Sequence, residues 1–245
     1  MTVNDKAIER KRYDAFASQI DKNFEFDSLA EYLKDPYLFY MSCIELRAQA
    51  DYKILELGSG TGNFTGVLLR TTAAVVASDI SARSLEVLAS LHNSENLTCL
   101  VMDMEELNKD EEFDIIVSAG SLSYGDNAIV LNNIYQALKP GGFFICVDSL
   151  NNNWIYRLNR FFHYLTGRRS LSTLRRMPST RLFEIYNKKF EEVTVTYFGS
   201  LVWLAPVLKL FLRETSVSNT LKWFDTLINV KYSAFKFVMV ARKNA

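Results

Sequence analysis

No run in this 245-residue sequence is long enough or apolar enough to cross a bilayer. The longest, 201–212, is 12 residues and contains Lys209 and Pro206, against the roughly 20 apolar residues that a span needs. The first residues, MTVNDKAIERKRYDAF, carry charges but no apolar stretch, so no signal peptide is expected. Glycine (10) and proline (4) are sparse, which excludes collagenous and low-complexity classes. Cysteines are few and scattered: Cys43, Cys99 and Cys146 form no CxxC pair. They read as small buried hydrophobes in a reducing cytoplasm rather than a disulfide or metal set. With only His92 and His163 besides, no metal site is expected.

The zero net charge hides an asymmetry. Residues 1–149 hold 12 Lys/Arg and 23 Asp/Glu, a net of −11, and residues 150–245 balance them at +11. Within 150–183 there are seven arginines, no lysine and no acid. Arginine suits planar, bidentate contact with phosphate or carboxylate. The segment therefore either complements the acidic half across an interface or meets an anionic ligand. Arg168, Arg169, Arg175 and Arg176 are the candidate contacts to such a ligand.

Residues 5–50 read as helices, with Ile8, Arg12, Phe16 and Ile20 at helical spacing and a break expected at Asp35-Pro36. Short β-rich runs then alternate with amphipathic stretches. Strands are expected at 53–57, 73–79, 97–103, 113–119 and 143–149, and helices after the first, second and fourth. Near-continuous apolar strands, most of them followed by a helix, indicate a parallel, doubly wound α/β sheet covered on both faces. Beyond 149 the rhythm breaks into Arg- and aromatic-rich helical patches, strands at 193–199 and 234–241, and helices at 201–212 and 219–228. One domain is expected: a helical cap at 1–50, a ligand-binding core at 53–149, and a substrate-facing insert with terminal strands at 150–245.

The first strand runs into Gly58-Ser59-Gly60-Thr61-Gly62-Asn63. Ligands of open α/β sheets bind at the carboxyl ends of the strands where strand order reverses, and glycines there allow close backbone approach. Asn63 occupies the place of a dinucleotide fold's third glycine, which argues for a nucleoside over a pyrophosphate and against a nicotinamide-dependent oxidoreductase. Asp79 ends the next strand, a placement that suits a ribose contact.

The ordered segments ILELGSGTGNF, VVASDIS, LVMDMEEL, FDIIVSAGSLSY and LKPGGFFICVDS resemble class I S-adenosylmethionine-dependent methyltransferases of the small-molecule type, and RYDAFASQID resembles their capping helix. The resemblance implies a seven-stranded Rossmann-like sheet ending in an antiparallel β6–β7 pair, with S-adenosyl-L-methionine as cofactor and S-adenosyl-L-homocysteine as product. Glu56, Gly58, Ser59, Gly60 and Gly62 would cradle the methionine part, Glu56 facing its ammonium. Asp79 would accept from the ribose hydroxyls, with Ile80 beside the adenine. Asp103 and Met104 would meet the adenine edge. Ser118, Ala119 and Gly120 would lie by the sulfonium, and Tyr13 would close over the cofactor.

Where such proteins often carry two histidines after the fourth strand, this sequence has Ser123 and Tyr124. The remaining candidates for a catalytic base are Asp148, Tyr124, Asp126 and His163. The 150–183 segment resembles, less specifically, an insert of bacterial methyltransferases of surface-polysaccharide biosynthesis. The expected reaction is methyl transfer to a hydroxyl or amine of a small or glycan-like, anionic acceptor. A catalytically inactive, cofactor-binding partner protein is the alternative. No nucleic-acid module is visible. The 201–212 run, read as a helix, has almost no polar face and must be covered by 219–231, by a second copy in a homodimer, or by a membrane surface. Pro206 and its short length favour the first two.

Overall fold

The computed structural model describes residues 3–18, 29–166, 170–228 and 231–245, without the side chains of residues 3 and 4. Ile20, Arg168 and Arg169 lie outside the described residues.

Seven strands make one sheet: β1 Lys53–Leu57, β2 Ala74–Asp79, β3 Leu97–Val101, β4 Phe113–Ala119, β5 Leu138–Ser149, β6 Glu192–Phe198 and β7 Lys236–Arg242. Their order is β3-β2-β1-β4-β5-β7-β6. The first five are parallel, and β7 lies between β5 and β6, antiparallel to both. This is the doubly wound sheet with an antiparallel closing pair that the sequence implies. The chain leaves β1 toward β2 on one side and returns to β4 on the other. The carboxyl ends of β1 and β4 therefore flank the switch point where ligands of this topology sit.

The helices are α1 Val3–Ala17, α2 Glu31–Glu45, α3 Thr65–Thr71, α4 Ala82–Leu91, α5 Asn127–Ala137, α6 Trp154–Leu165, α7 Leu171–Arg176, α8 Thr180–Lys189, α9 Ala205–Leu208 and α10 Glu214–Leu227. One sheet face packs Ile54, Ile115, Ile145 and Val238 under Tyr40, Cys43 and Ile44 of α2 and Leu68 of α3. The other packs Leu55, Ile116, Phe144 and Phe237 under Leu131 and Ile134 of α5 and Phe183 and Tyr186 of α8. Strands buried on both faces explain why their sequences are apolar without alternation.

Several expectations are corrected. Asp35-Pro36 does not break a helix, because Pro36 sits in the second turn of α2. One backbone bond is forfeited there, while burial of Tyr40, Cys43 and Ile44 holds the remaining turns. Cys99 is exposed on the edge strand β3, unlike the buried Cys43 and Cys146. β3 stops at Val101 because the Asp103 side chain accepts the Glu105 N–H and turns the chain into a 3-10 helix at Met104–Glu106. Ile8 does not join a buried face of α1; it is half exposed.

The 201–212 run is not a continuous helix. A 3-10 turn at Val202–Leu204 leads to the four-residue α9 and then to turns. Pro206, lacking an N–H, sits in the first turn of α9, where that loss is harmless, so the run divides there. Its inner side packs Ala205, Leu201 and Leu208 on Val217 and Leu221 of α10 and Tyr32 of α2. Val207, Leu210, Phe211 and Leu212 remain exposed, so the expected burial on all sides is not met.

Candidate active site

At the carboxyl ends of β1, β2 and β4 lies a cleft of about 230 Å³, open to solvent. Its floor is the turn after β1. Gly58, Gly60 and Gly62 all have positive φ (66°, 55° and 92°), a region costly for any residue with a Cβ. At Gly58 a Cβ would also fall 2.5 Å from the Ser121 Cβ. Ser121 fixes this corner: its hydroxyl donates to the Leu57 carbonyl at 3.0 Å and shares a 2.6 Å hydrogen bond with Ser118. At Gly60 a Cβ would meet nothing within 4 Å, so this backbone is open to a ligand.

Glu56 lines the cleft from inside an apolar strand and is 3% exposed. Thr65 donates to its Oε2 at 2.6 Å. No cation is found paired with it among the described residues. Burial, with a smaller contribution from the Asp79 charge, lifts its carboxyl from 4.5 to about 7 against the opposing pull of the Thr65 hydrogen bond. A carboxylate buried without a cation is costly, and a ligand ammonium would meet that need. The Ser59 hydroxyl, also in the lining, is buried without a hydrogen-bond partner among the described residues.

Asp79 accepts the Gly60 N–H at 2.9 Å and the Ser81 N–H at 2.8 Å, so the end of β2 holds the turn after β1. Burial raises its carboxyl, and these backbone donors partly offset the rise. Asp103 lies beside Met102 and Met104 in the lining and meets Lys6 Nζ at 2.5 Å.

α1 closes the cleft with Lys6, Glu9, Tyr13 and Phe16. Only Tyr13 is singled out by the sequence. The other three were legible as its neighbours on one helical face, at seven and four residues before it and three after. Tyr13 and Tyr124 meet edge to face at 5.5 Å, and Arg12 Nη2 donates to the Tyr124 hydroxyl at 3.1 Å. Glu9 is buried, ion-paired with Arg12 at 2.9 Å, and accepts the hydroxyls of Ser170 (2.9 Å) and Thr173 (3.1 Å). The cap thus joins α1 to the start of α7, and α7 packs on the Leu122–Tyr124 turn.

The structure gathers Tyr13, Glu56, Gly58, Ser59, Gly60, Asp79, Ile80, Asp103, Met104, Ala119 and Tyr124 around the cleft. It keeps Gly62, Ser118, Asp148, His163, Arg175 and Arg176 out of the lining. The Gly62 carbonyl instead contacts His92 Nε2 at 2.7 Å. Asp148 is 3% exposed and accepts the N–H groups of Leu122 (3.1 Å) and Ser149 (2.6 Å), so it braces the turn that presents Tyr124. Asp126 caps α5 through the N–H groups of Ala128 and Ile129. His163 sits on α6, and Arg175 is exposed at the end of α7. Ser121, which no sequence signal marks, is as much part of the cleft as the glycines.

A family profile described as a methyltransferase domain matches residues 54–142, which holds the glycine turn, Asp79, Asp103 and the β4 end. This stretch is a methyltransferase domain of the class I S-adenosylmethionine-dependent type. Its cofactor is S-adenosylmethionine. Among relatives of this methyltransferase, a malonyl-[acyl-carrier protein] O-methyltransferase of Acetivibrio thermocellus is 25% identical over 72% of this chain, a match spanning 62% of that protein's length. Another of the same description, from Ilyobacter polytropus, is 26% identical over 86% of this chain and 81% of its own. The fold matches the N-methyltransferase NodS from Bradyrhizobium japonicum, solved with S-adenosylhomocysteine, at TM-score 0.63 and 14% identity over 98% of this chain and all of that one. Among the described residues, no helix is long and apolar enough to cross a membrane.

Proposed function

We propose that this methyltransferase moves a methyl group from S-adenosylmethionine to an oxygen of a small or glycan-like, anionic acceptor delivered beneath the α1–α7 cap. Glu56 receives the ammonium of the cofactor, Ser59 and the backbone at Gly58 and Gly60 hold its methionine part, Asp79 takes the ribose hydroxyls, and Asp103 the adenine amine. The observation that carries the reading is Glu56, a buried acid with no cation found on it, at the end of the strand that opens the glycine turn.

Methyl transfer from a sulfonium is an in-line displacement. The acceptor oxygen gains the methyl carbon as the carbon–sulfur bond breaks and its electron pair stays on sulfur. The cofactor supplies the electrophile, and the protein's share is alignment and exclusion of water, worth roughly 7–11 kcal/mol when geometry is well held. Tyr13, Phe16 and Tyr124 form the aromatic cover on the acceptor side. Of the groups considered for handling the acceptor's proton, only Tyr124 faces the cleft, and its hydroxyl already accepts from Arg12. Tyr124 therefore orients the acceptor oxygen. An acceptor that arrives ionised, such as a carboxylate, would need no further base. The relatives described as O-methyltransferases support oxygen over nitrogen.

The test has two arms. Calorimetric titration with S-adenosylhomocysteine should show binding that Asp79→Ala weakens by roughly 1–3 kcal/mol, the scale of a lost charged hydrogen bond. Labelled S-adenosylmethionine is then offered uronic acid-bearing and phosphate-bearing glycans, with a carboxylated acyl-carrier protein alongside. Label transfer confined to neutral amines would sink the acceptor assignment and leave the cofactor assignment standing.

A further inference from the structure

Helix α6 is turned opposite to its chemistry. Its Arg160 faces the core and is 5% exposed, with Nη1 donating to the Leu150 carbonyl at 2.8 Å and to Asn151 Oδ1 at 3.1 Å. The guanidinium lies against the rings of Tyr156 and Phe235. Its large apolar residues face outward: Trp154, Leu158, Phe161, Phe162 and Leu165 are 71, 48, 45, 56 and 60% exposed. At about 100° per residue these five fall within an arc of about 100°, on the side opposite Tyr156 and Arg160. Packing among the described residues does not explain a helix that buries its arginine and exposes its aromatics.

Charge narrows the choice of what covers this face. The 150–183 segment has no acid; of its seven arginines Arg160 is turned inward and Arg168 and Arg169 lie outside the described residues, while exposed Arg157 flanks the stripe and Arg175 and Arg181 are exposed on α7 and α8. A two-fold pairing of the face with a second copy would bring the two copies of Arg157 toward each other with no acid of this segment to answer them. An acidic protein would answer the arginines but not a straight, ungrooved row of five large apolar side chains. An anionic bilayer answers both, with phosphates for the arginines and an acyl boundary for Trp, Phe and Leu. A second exposed cluster, Val207, Leu210, Phe211 and Leu212, follows a turn tied to α6 by Tyr156, whose hydroxyl donates to the Gly199 carbonyl and accepts the Trp203 N–H.

We infer that α6 docks this methyltransferase on an anionic bilayer surface, its aromatic stripe lying in the headgroup–acyl boundary. α6 packs on α7, and α7 on the turn that carries Tyr124 into the cleft. The docked face therefore adjoins the acceptor side. That the acceptor is itself lipid-borne rests on the function proposed above, whereas the docking does not.

Flotation with vesicles of phosphatidylcholine alone, and with about one-third phosphatidylglycerol, tests the inference. The protein should float with the mixed vesicles, stay behind with the neutral ones, and be released when salt shortens the screening length to about 3–4 Å. Trp154→Ser with Phe161→Ser should lower the bound fraction at least tenfold, with melting temperature and S-adenosylhomocysteine binding unchanged as the check on folding. Arg157→Gln should lower it several-fold. Flotation that the double variant leaves intact overturns the proposal. So does failure to float, whether the protein is monomeric or forms a dimer that the double variant dissociates. Capture by an acidic carrier protein without flotation overturns it as well. Loss of cofactor binding with flotation intact would bear on the function alone.

Discussion

The Thr65 hydroxyl meets Glu56 Oε2 at 2.6 Å, reaching from the first turn of α3 to the fourth residue of β1. This contact supplies a hydrogen bond but no charge. It leaves Glu56 an acid whose ionisation waits on a ligand.

Cofactor affinity should therefore depend on pH near neutrality. With its carboxyl at about 7, Glu56 is increasingly protonated below that pH, and an ammonium ligand favours the ionised form. Binding should release a proton, and affinity should fall toward tenfold per pH unit below about 7. Titration with S-adenosylhomocysteine between pH 5.5 and 8 in buffers of different ionisation enthalpy measures both. A flat profile with no proton release would remove Glu56 from the ammonium site.

Glu56→Gln separates binding from stability. In the unbound fold the carboxyl is raised above its ordinary 4.5. The folded state therefore holds a proton that the unfolded chain has lost, and stability declines as pH rises from about 4.5 to about 7. At pH 8 the variant should be more stable than the parent by about 1–3 kcal/mol, and at pH 4 the gain should vanish. Cofactor affinity should drop by at least tenfold. Urea melts at the two pH values give the comparison.

Gly58→Ala places a Cβ 2.5 Å from that of Ser121 at φ +66°. Clash and left-handed strain together should cost about 2–4 kcal/mol. Adding Ser121→Gly should recover the steric part and not the backbone part. A double variant no more stable than Gly58→Ala would show that the close approach is not the cause.

Tyr124→Phe removes the hydroxyl that accepts from Arg12 and keeps the ring against Tyr13. The expected result is a kcat lowered by about 10² or less, the scale of lost positioning, with S-adenosylhomocysteine affinity within about twofold, because only the acceptor side loses a contact. Equal losses in cofactor affinity and turnover would instead make Tyr124 a wall of the cofactor site.

Much of the frame was legible locally. The runs at β1 and β4 hold adjacent apolar residues, Ile54-Leu55 and Ile115-Ile116-Val117, without strict alternation, so they read as strands buried on both faces. The Gly58–Gly62 turn is legible because only glycine tolerates that backbone. Asp79 follows from standing at the end of the neighbouring strand, and Asp103 from the resemblance to the methyltransferases. Ser121 was not legible, because its role is a tertiary approach to Gly58 from the turn after β4.

The sequence by itself determined which segments become sheet and where the chain can turn, since those depend on residue type and near neighbours. Only the tertiary structure decided which side chains share a space. Asp148 and His163 have the chemistry of a catalytic base, yet one is spent on the Leu122 and Ser149 amides and the other rides on α6 outside the cleft. The 201–212 run reads as a helix to be buried, but Pro206 divides it and α10 covers only one side. α6 has an amphipathic pattern that predicts an inward apolar face, and Arg160 occupies that place instead. Periodicity identifies a face, while the neighbours brought up by the rest of the chain decide what that face meets.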